Sequence, residues 1–259
     1  MFTNGPIQVQ ALNAGSLDFA YIGPGALWLP ASGQAKVIAP NALGYTDRLI
    51  AQLGIESMAD LEGKKVGVPE GTSGDMLLRL ALEEAGMTLD DIEVIPMDPS
   101  TIVTAFSSGK VDAAGIWYPF VDVIRQRVPE LNELSSNEQF FPEIAFPWSF
   151  IVSDDMAENA DVIRKVVDVI KEANDFRKNN PEEAVRITAD FLNVPEAPLL
   201  AESKLARLPS SAEYEELTRG GQVENIGAPV SGCHISLIGL FKANSLAFVR
   251  DRGLPPFAE

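Results

Sequence analysis

The sequence predicts an α/β protein with two similar lobes, and three observations lead to this prediction. Residues 9–24 are repeated in residues 103–119, which is typical of two related lobes. Strand, loop, helix and strand follow one another over residues 57–95, which is typical of a parallel sheet. The chain has 259 residues, 46% of them hydrophobic, and can bury one large core or two small ones.

The repeat combines a helix, a short strand and a loop in each copy. At a constant offset Val9, Ala11, Gly15, Asp18, Ala20 and Ile22 match Val103, Ala105, Gly109, Asp112, Ala114 and Ile116. Each helix ends at a glycine, which tolerates the left-handed conformation found there. The apolar segment that follows is typical of a buried parallel strand. Ligands bind beyond the carboxyl ends of such strands, so we expect the loops after residues 22 and 116 to face each other across one cleft.

Residues 57–95 form the second informative segment. Ser57–Lys65 is a predicted short helix, Val66–Pro69 a strand, Glu70–Gly74 a tight loop, Asp75–Ala85 an amphipathic helix and Ile92–Ile95 the next strand. Backbone N–H groups at the start of a helix attract anions, and the helix dipole adds to this attraction. Gly71, Thr72 and Ser73 are therefore candidate ligand contacts. A plain helix cap remains the alternative, because Ser and Thr favour that position.

The loops that end the two repeats supply the other candidate contacts. Gly23, Pro24 and Gly25 offer a similar helix start in the first lobe, with a simple turn as the alternative. Trp117 and Tyr118 follow a buried strand, where an aromatic ring can line a cleft or stack on a cation. Their alternative is ordinary core packing.

Charge and composition exclude several classes of function. The net charge of −17 disfavours nucleic acid and anionic membrane surfaces, because both require clustered Lys and Arg. No apolar run approaches the roughly 18 residues of a membrane span. Cys233 is the only cysteine, so the chain has no internal disulfide. A single cysteine is compatible both with a reducing compartment and with bacterial export, so it does not identify the cellular compartment. Met1–Pro6 lacks the basic and apolar regions of a signal peptide.

Motifs for catalysis are missing from the sequence. The only histidine, His234, adjoins the only cysteine, and neighbours in sequence rarely form a working pair. Neither a nucleophile elbow nor a phosphate-binding loop is present, and His and Cys do not cluster as metal ligands. The sequence predicts a protein without catalytic residues, metal or cofactor.

Several short motifs together carry a family resemblance. They are Ala11-Leu-x-x-Gly15-x-Leu-Asp18, Ser57-x-x-Asp60-Leu61-x-Gly63-Lys64-Lys65-Val66, Gly71-Thr72-Ser73, Val111-Asp112-Ala113, Trp117-x-Pro119 and Asn179-Asn180-Pro181-Glu182-Glu183-Ala184. Over most of residues 5–190 the chain resembles substrate-binding proteins of ABC importers for sulfonates, nitrate and taurine. That group is itself similar to the thiamine-precursor binding proteins.

The resemblance implies a two-lobed periplasmic-binding-protein fold of type II. The ligand would lie in a cleft between lobes that two crossing strands join, here residues 48–52 and 146–152. Residues 1–52 plus 150–259 would form lobe one, and residues 56–145 lobe two. Met1 falls where the second strand of such proteins begins, so the first strand and helix are expected to be missing. Lobe one should then have poorly covered strand edges.

The implied function is that of an extracytoplasmic solute-binding protein. It would deliver a small organic anion, such as a sulfonate, taurine or a nitrate-like ion, to the permease subunits of an ABC importer. Its location would be the periplasm or the cell envelope, without membrane insertion of this chain. The alternative is a thiamine-pyrimidine-precursor binding protein, or a synthase-like enzyme on the same scaffold. Such enzymes consume their own histidine, and only His234 is present.

Overall fold

The computed structural model describes residues 2–141, 144–193, 195–213, 225–230 and 233–236. The chain divides into two compact units. Among the described residues, unit one contains 45–141, 228–230 and 233, and unit two contains 2–44, 144–193, 195–213, 225–227 and 234–236. The chain thus passes between the units after Gly44 and after Phe141, beside the two strands that the sequence assigned to the crossings.

Short strands and helices alternate through most of the described residues. The strands are β1 (Phe19–Ile22), β2 (Lys36–Gly44), β3 (Asp47–Ala51), β4 (Lys65–Val68), β5 (Glu93–Pro96), β6 (Ala113–Trp117), β7 (Asn132–Ser136), β8 (Pro147–Val152), β9 (Ala206–Arg207), β10 (Asn225–Val230) and β11 (Cys233–Ser236). The helices are α1 (Gly5–Asn13), α2 (Trp28–Ala31), α3 (Ser73–Glu84), α4 (Pro99–Ser107), α5 (Phe120–Arg127), α6 (Asp154–Ala157), α7 (Ala160–Asn179), α8 (Pro181–Leu192) and α9 (Glu196–Ser203).

Unit one is built on a five-stranded sheet with the order β5-β4-β6-β3-β7. The strand β4 pairs in parallel with β5, which confirms the parallel sheet predicted for residues 57–95. It also pairs in parallel with β6, the second strand of the repeat. The strand β3 runs antiparallel to β6 and β7. Residues 47–51 therefore lie in the same sheet as β4, β5 and β6, although the resemblance implies that residues 1–52 belong to the other lobe. Ile50, Ile102, Phe106 and Ile116 belong to the core of this unit.

Unit two contains a four-stranded sheet with the order β1-β8-β2-β9. The strand β8 lies between β1 and β2 and runs antiparallel to both. The prediction of a parallel strand at residues 17–22 is therefore wrong. Alternate residues of β1 are buried, as expected for an antiparallel strand with one covered face. The side-chain amide of Gln8 pairs with this strand, donating to Tyr21 O at 2.9 Å and accepting from Tyr21 N–H at 3.2 Å.

The two glycines of the repeat have the predicted backbone conformation. Gly15 follows α1 with a φ of 69°, and Gly109 follows α4 with a φ of 68°. Asp112 Oδ2 accepts a hydrogen bond from Lys65 N–H at 2.8 Å, which links the start of β6 to β4. The two copies lie in different sheets, because β1 belongs to unit two and β6 to unit one.

The sequence predicts a final helix near residues 234–251, but its first three residues belong to a strand. Residues 233–236 form β11, which pairs with β10 in a two-stranded sheet. The rest of that predicted helix lies outside the described residues. Among the helices that the structure describes, none combines the length and the apolar character that crossing a bilayer requires.

Candidate functional site

The loop between β4 and α3 is the first part of the candidate site. It leaves the carboxyl end of β4 and turns at Gly71, whose φ of 69° favours glycine. Thr72 is extended, with φ and ψ of −110° and 179°, and is the N-cap of α3. The helix therefore begins directly beyond the carboxyl end of a parallel strand, where α/β sheets bind ligands.

Two donors of this loop are used within the loop itself. Gly71 N–H donates to Asp75 Oδ2 at 2.9 Å, and the Thr72 hydroxyl donates to Pro69 O at 2.6 Å. A hydroxyl has a single proton to donate, so the Thr72 side chain stabilises the turn rather than offering a donor to a ligand. Asp75 also pairs with Arg79 at 2.9 Å, which neutralises its charge beside the loop.

The N–H groups in the first turn of α3 remain as the anion-binding element. The Thr72 side chain makes no capping hydrogen bond, so the N–H groups of Ser73 and Gly74 are not capped by it. This helix has 12 residues, long enough to present a helix dipole at its start. Among the predicted contacts of unit one, Ser73 is therefore the residue best placed to bind an anion.

A close contact between two glycines fixes the position of this turn. A Cβ atom on Gly74 would lie 2.4 Å from Gly115 O, and one on Gly115 would lie 2.5 Å from Gly74 O. Neither position has room for a side chain, so the backbones of α3 and β6 touch directly. The sequence alone does not show that these two glycines meet. Its signal is a glycine in an apolar strand, which often marks close approach of another backbone.

A buried polar cluster adjoins the same turn. Asp47, at the start of β3, is fully buried, and Asn137 Nδ2 donates to its Oδ2 at 3.1 Å. Burial raises the pKa of Asp47 from 3.8 to about 7, although Ser73 and Arg48 lower it in part. Asp47 is not among the candidate residues predicted from the sequence. A charged pair at the head of the otherwise apolar strand Asp47-Arg48-Leu49-Ile50-Ala51 is the signal that marks it.

Trp117 and Tyr118 lie at the carboxyl end of β6, next to β4 in the same sheet. Both are half-buried and pack partly against the core of unit one. The Trp117 ring meets Phe120 edge to face at 6.1 Å, and the Arg48 guanidinium lies 5.5 Å from the Tyr118 ring centroid. Arg48 is also paired with Glu133 at 2.7 Å. The two rings thus combine core packing with a partly open face.

The strand order places these residues at one edge of the unit-one sheet. The carboxyl ends of β4 and β6 carry Thr72 with Ser73 and Trp117 with Tyr118, respectively. Asp47 is the residue of β3 that pairs in register with Trp117. The five predicted contacts of unit one, from Gly71 to Tyr118, therefore lie at or just beyond the carboxyl ends of two neighbouring strands of a single sheet.

Gly23, Pro24 and Gly25 lie in unit two, directly after β1. Pro24–Ala26 is a 3-10 turn of three residues, too short for the helix dipole expected there. The Trp148 indole packs beside it. A Cβ on Gly23 would lie 3.8 Å from Trp148 Cδ1, and one on Gly44 only 2.9 Å from Trp148 Cε2. The group that this loop can offer to a ligand is therefore the Trp148 ring, which packs beside Gly23 and Gly44.

Unit two also contains a cavity of about 480 Å³ that Trp148 lines on one side. Leu199, Leu200, Val185 and Arg177 are among its other walls. Arg177 donates to Asn41 O at 2.7 Å and to Asn174 Oδ1 at 3.0 Å, and these two residues of unit two fix the position of its guanidinium group. In the part of the chain that the structure describes, His, Cys, Asp and Glu nowhere form a group of three or more that could hold a metal.

Comparison with solved structures defines the class of fold. The alkanesulfonate-binding protein SsuA from Xanthomonas axonopodis pv. citri, solved with bound MOPS, matches with a TM-score of 0.67 and 22% identity over 99% of this chain and 83% of that one. This similarity and those to other binding proteins give the chain the fold of the periplasmic binding proteins, as predicted.

The family follows from the sequence. Residues 9–184 match the family described as NMT1/THI5 like, and the chain belongs to that family. A binding protein of Brucella abortus is 60% identical over 224 residues, which cover 86% of this chain and 70% of the relative. An aliphatic sulfonates-binding protein of Escherichia coli is 29% identical over 214 residues, which cover 77% of this chain and 63% of the relative. These relatives are named as binding proteins, in line with the predicted class.

Proposed function

We propose that this protein is the solute-binding component of an ABC importer and that it delivers a small organic sulfonate to the permease subunits. The observation that carries the proposal is the uncapped first turn of α3 at the carboxyl end of β4. The names of the relatives support binding rather than catalysis. They also favour this function over the thiamine-pyrimidine alternative. The proposed location is the periplasm or the cell envelope.

In this proposal the sulfonate head binds the N–H groups of Ser73 and Gly74. Three sulfonate oxygens can accept from neighbouring donors, and the helix dipole favours the negative charge. The organic part of the ligand packs on Trp117 and Tyr118. Thr72 and Gly71 shape the loop, since their donors are already used. Gly23, Pro24 and Gly25, together with Trp148, are the contacts proposed for unit two.

Calorimetry with a panel of ligands tests the proposed substrate class. Ethanesulfonate, butanesulfonate and taurine should bind at one site and raise the melting temperature by mass action. Nitrate, bicarbonate and a thiamine-pyrimidine analogue are measured in the same way, because they represent the other classes of ligand. Tighter binding of the pyrimidine than of every sulfonate would reject the proposal.

A pair of substitutions at Ser73 tests the anion site. Ser73→Pro removes the N–H group of the first helical position, where proline is compatible with the helix, and Thr72 is already extended as a residue before proline prefers. We expect ethanesulfonate affinity to fall about ten- to a hundred-fold, the usual effect of losing a hydrogen bond to a charged group. The matched control, Ser73→Ala, keeps this N–H and loses only the hydroxyl. Equal affinities of the two variants would show that the N–H group is not a contact.

Trp117 is expected to contribute to binding through the organic part of the ligand. Trp117→Ala should weaken butanesulfonate binding about ten-fold and affect methanesulfonate less, because the shorter ligand has little apolar surface to lose. Trp117→Phe is the control, since it keeps an aromatic ring against Phe120. Calorimetry along the series from methane- to butanesulfonate measures the difference. An identical loss for every chain length would assign Trp117 to the core alone.

A further inference from the structure

A carboxyl group lies buried beside the first turn of α3. Asp47 is 0% exposed, and only its Oδ2 has a hydrogen bond from Asn137. Among the described residues none forms a hydrogen bond with its Oδ1, and the neighbouring Thr46 hydroxyl is also buried without a partner. The Ser73 side chain approaches the same carboxyl group. A buried charge with an unsatisfied oxygen is costly, and a neutral carboxyl group removes much of that cost.

The elements packed against β3 supply little positive charge to Asp47. These elements are β6, β7 and α3. The charged or titratable groups on β3, on these elements and on the turns that follow them are Arg48, Asp75, Arg79, Glu83, Glu84, Tyr118, Glu133 and Glu138. Glu133 pairs with Arg48 and with Arg125, and Asp75 pairs with Arg79. Burial therefore outweighs the influence of Arg48 and raises the pKa of Asp47 to about 7.

We infer that Asp47 takes up a proton when an anion binds at the first turn of α3. This inference rests on the proposed function, because it requires the anion to bind there. A carboxylate and a sulfonate on either side of Ser73 would repel each other, and the proton, taken from the solvent, removes the charge of the carboxylate.

Protonation also changes what the Ser73 hydroxyl can do. Beside an ionised Asp47, we expect that hydroxyl to turn its single proton towards the carboxylate. A neutral Asp47 can instead donate its own O–H to Ser73 Oγ, which leaves the Ser73 proton free for the ligand. Asp47 is thus a positioning residue. It acts on the ligand through Ser73 and through its own charge, not by direct contact.

Calorimetry with ethanesulfonate tests this coupling, since the ligand carries a permanent charge and has no titrating group of its own in this range. For the unsubstituted protein we expect about five-fold weaker binding at pH 8 than at pH 6, if binding raises the pKa of Asp47 by about one unit. At pH 7 the binding enthalpy should differ between buffers of different ionisation enthalpy. Asp47→Asn, which mimics the neutral acid, should bind equally at both pH values.

Asp122→Asn, on α5 of the same unit, controls for loss of one negative charge and should keep the pH dependence. Binding that is independent of pH, with a buffer-independent enthalpy, would overturn the inference and leave the proposed function standing. A pH dependence that persists in Asp47→Asn would also overturn it. Ethanesulfonate that fails to bind at both pH 6 and pH 8 would contradict the proposed function, and the inference with it.

Discussion

Gly115→Ala is expected to destabilise the protein by about 3 kcal/mol and to weaken ethanesulfonate binding more than ten-fold. The added Cβ would lie 2.5 Å from Gly74 O, so the backbone at the start of α3 has to move. Backbone atoms cannot rotate away as a side chain can. The displacement should therefore reach the N–H groups of Ser73 and Gly74 together. Urea unfolding and calorimetry measure the two effects.

Gly67→Ala is the matched control for this prediction. Gly67 lies in β4 of the same sheet, but its added Cβ would meet Met97 Sδ at 3.4 Å and other side chains at 3.7 Å. These are ordinary contacts with flexible side chains, so stability and binding should change little. If Gly115→Ala were as stable as Gly67→Ala and bound ethanesulfonate as tightly, α3 and β6 could move apart without loss of stability or binding, which would contradict this prediction.

Asp47→Asn is expected to stabilise the free protein increasingly as the pH rises from 4 to 7. The folded state holds a proton on Asp47 up to about pH 7, whereas the unfolded state releases it near 3.8. The unfolded state then binds fewer protons, so the free energy of unfolding falls with rising pH. Above pH 7 the variant should be more stable by on the order of 3–4 kcal/mol, and near pH 4 the two proteins should be alike.

The control for this titration is Asp60→Asn, whose effect has the opposite sign. Hydrogen bonds from the Ser57 hydroxyl and from the backbone N–H groups of Glu56 and Ser57 lower the pKa of Asp60. The stability that Asp60 contributes is present above the pKa of the unfolded chain and is lost as the pH falls further. Urea unfolding of each variant at several pH values gives the difference from the parent. A constant difference for Asp47→Asn would contradict a pKa near 7.

Local features of the fold could be predicted from the sequence. Gly15 and Gly109 end their helices in the left-handed conformation because glycine alone adopts it at little cost. The β4-loop-α3 unit was predicted from apolar runs and from Gly71, which follow directly from residue type. Each of these features depends on a few neighbours along the chain.

Features that depend on distant residues could not be predicted. Phe19 pairs with Val152, so the antiparallel neighbour of β1 is far away in sequence. Asp47 is buried because α3, β6 and β7 surround β3, and no local pattern reports that burial. The sequence makes Thr72 a candidate contact but does not show that its hydroxyl donates to Pro69 O, because that hydrogen bond depends on the exact shape of the turn.

The pairing of Gln8 with β1 has a consequence for contacts between molecules. Within the described four-stranded sheet β1 is an edge strand. The unpaired N–H and C=O groups of an edge strand can pair with a strand of another molecule. The Gln8 amide already occupies both groups of Tyr21, much as a short piece of neighbouring strand would. A second molecule that tried to extend this sheet would have to break two hydrogen bonds before it formed its first at that residue.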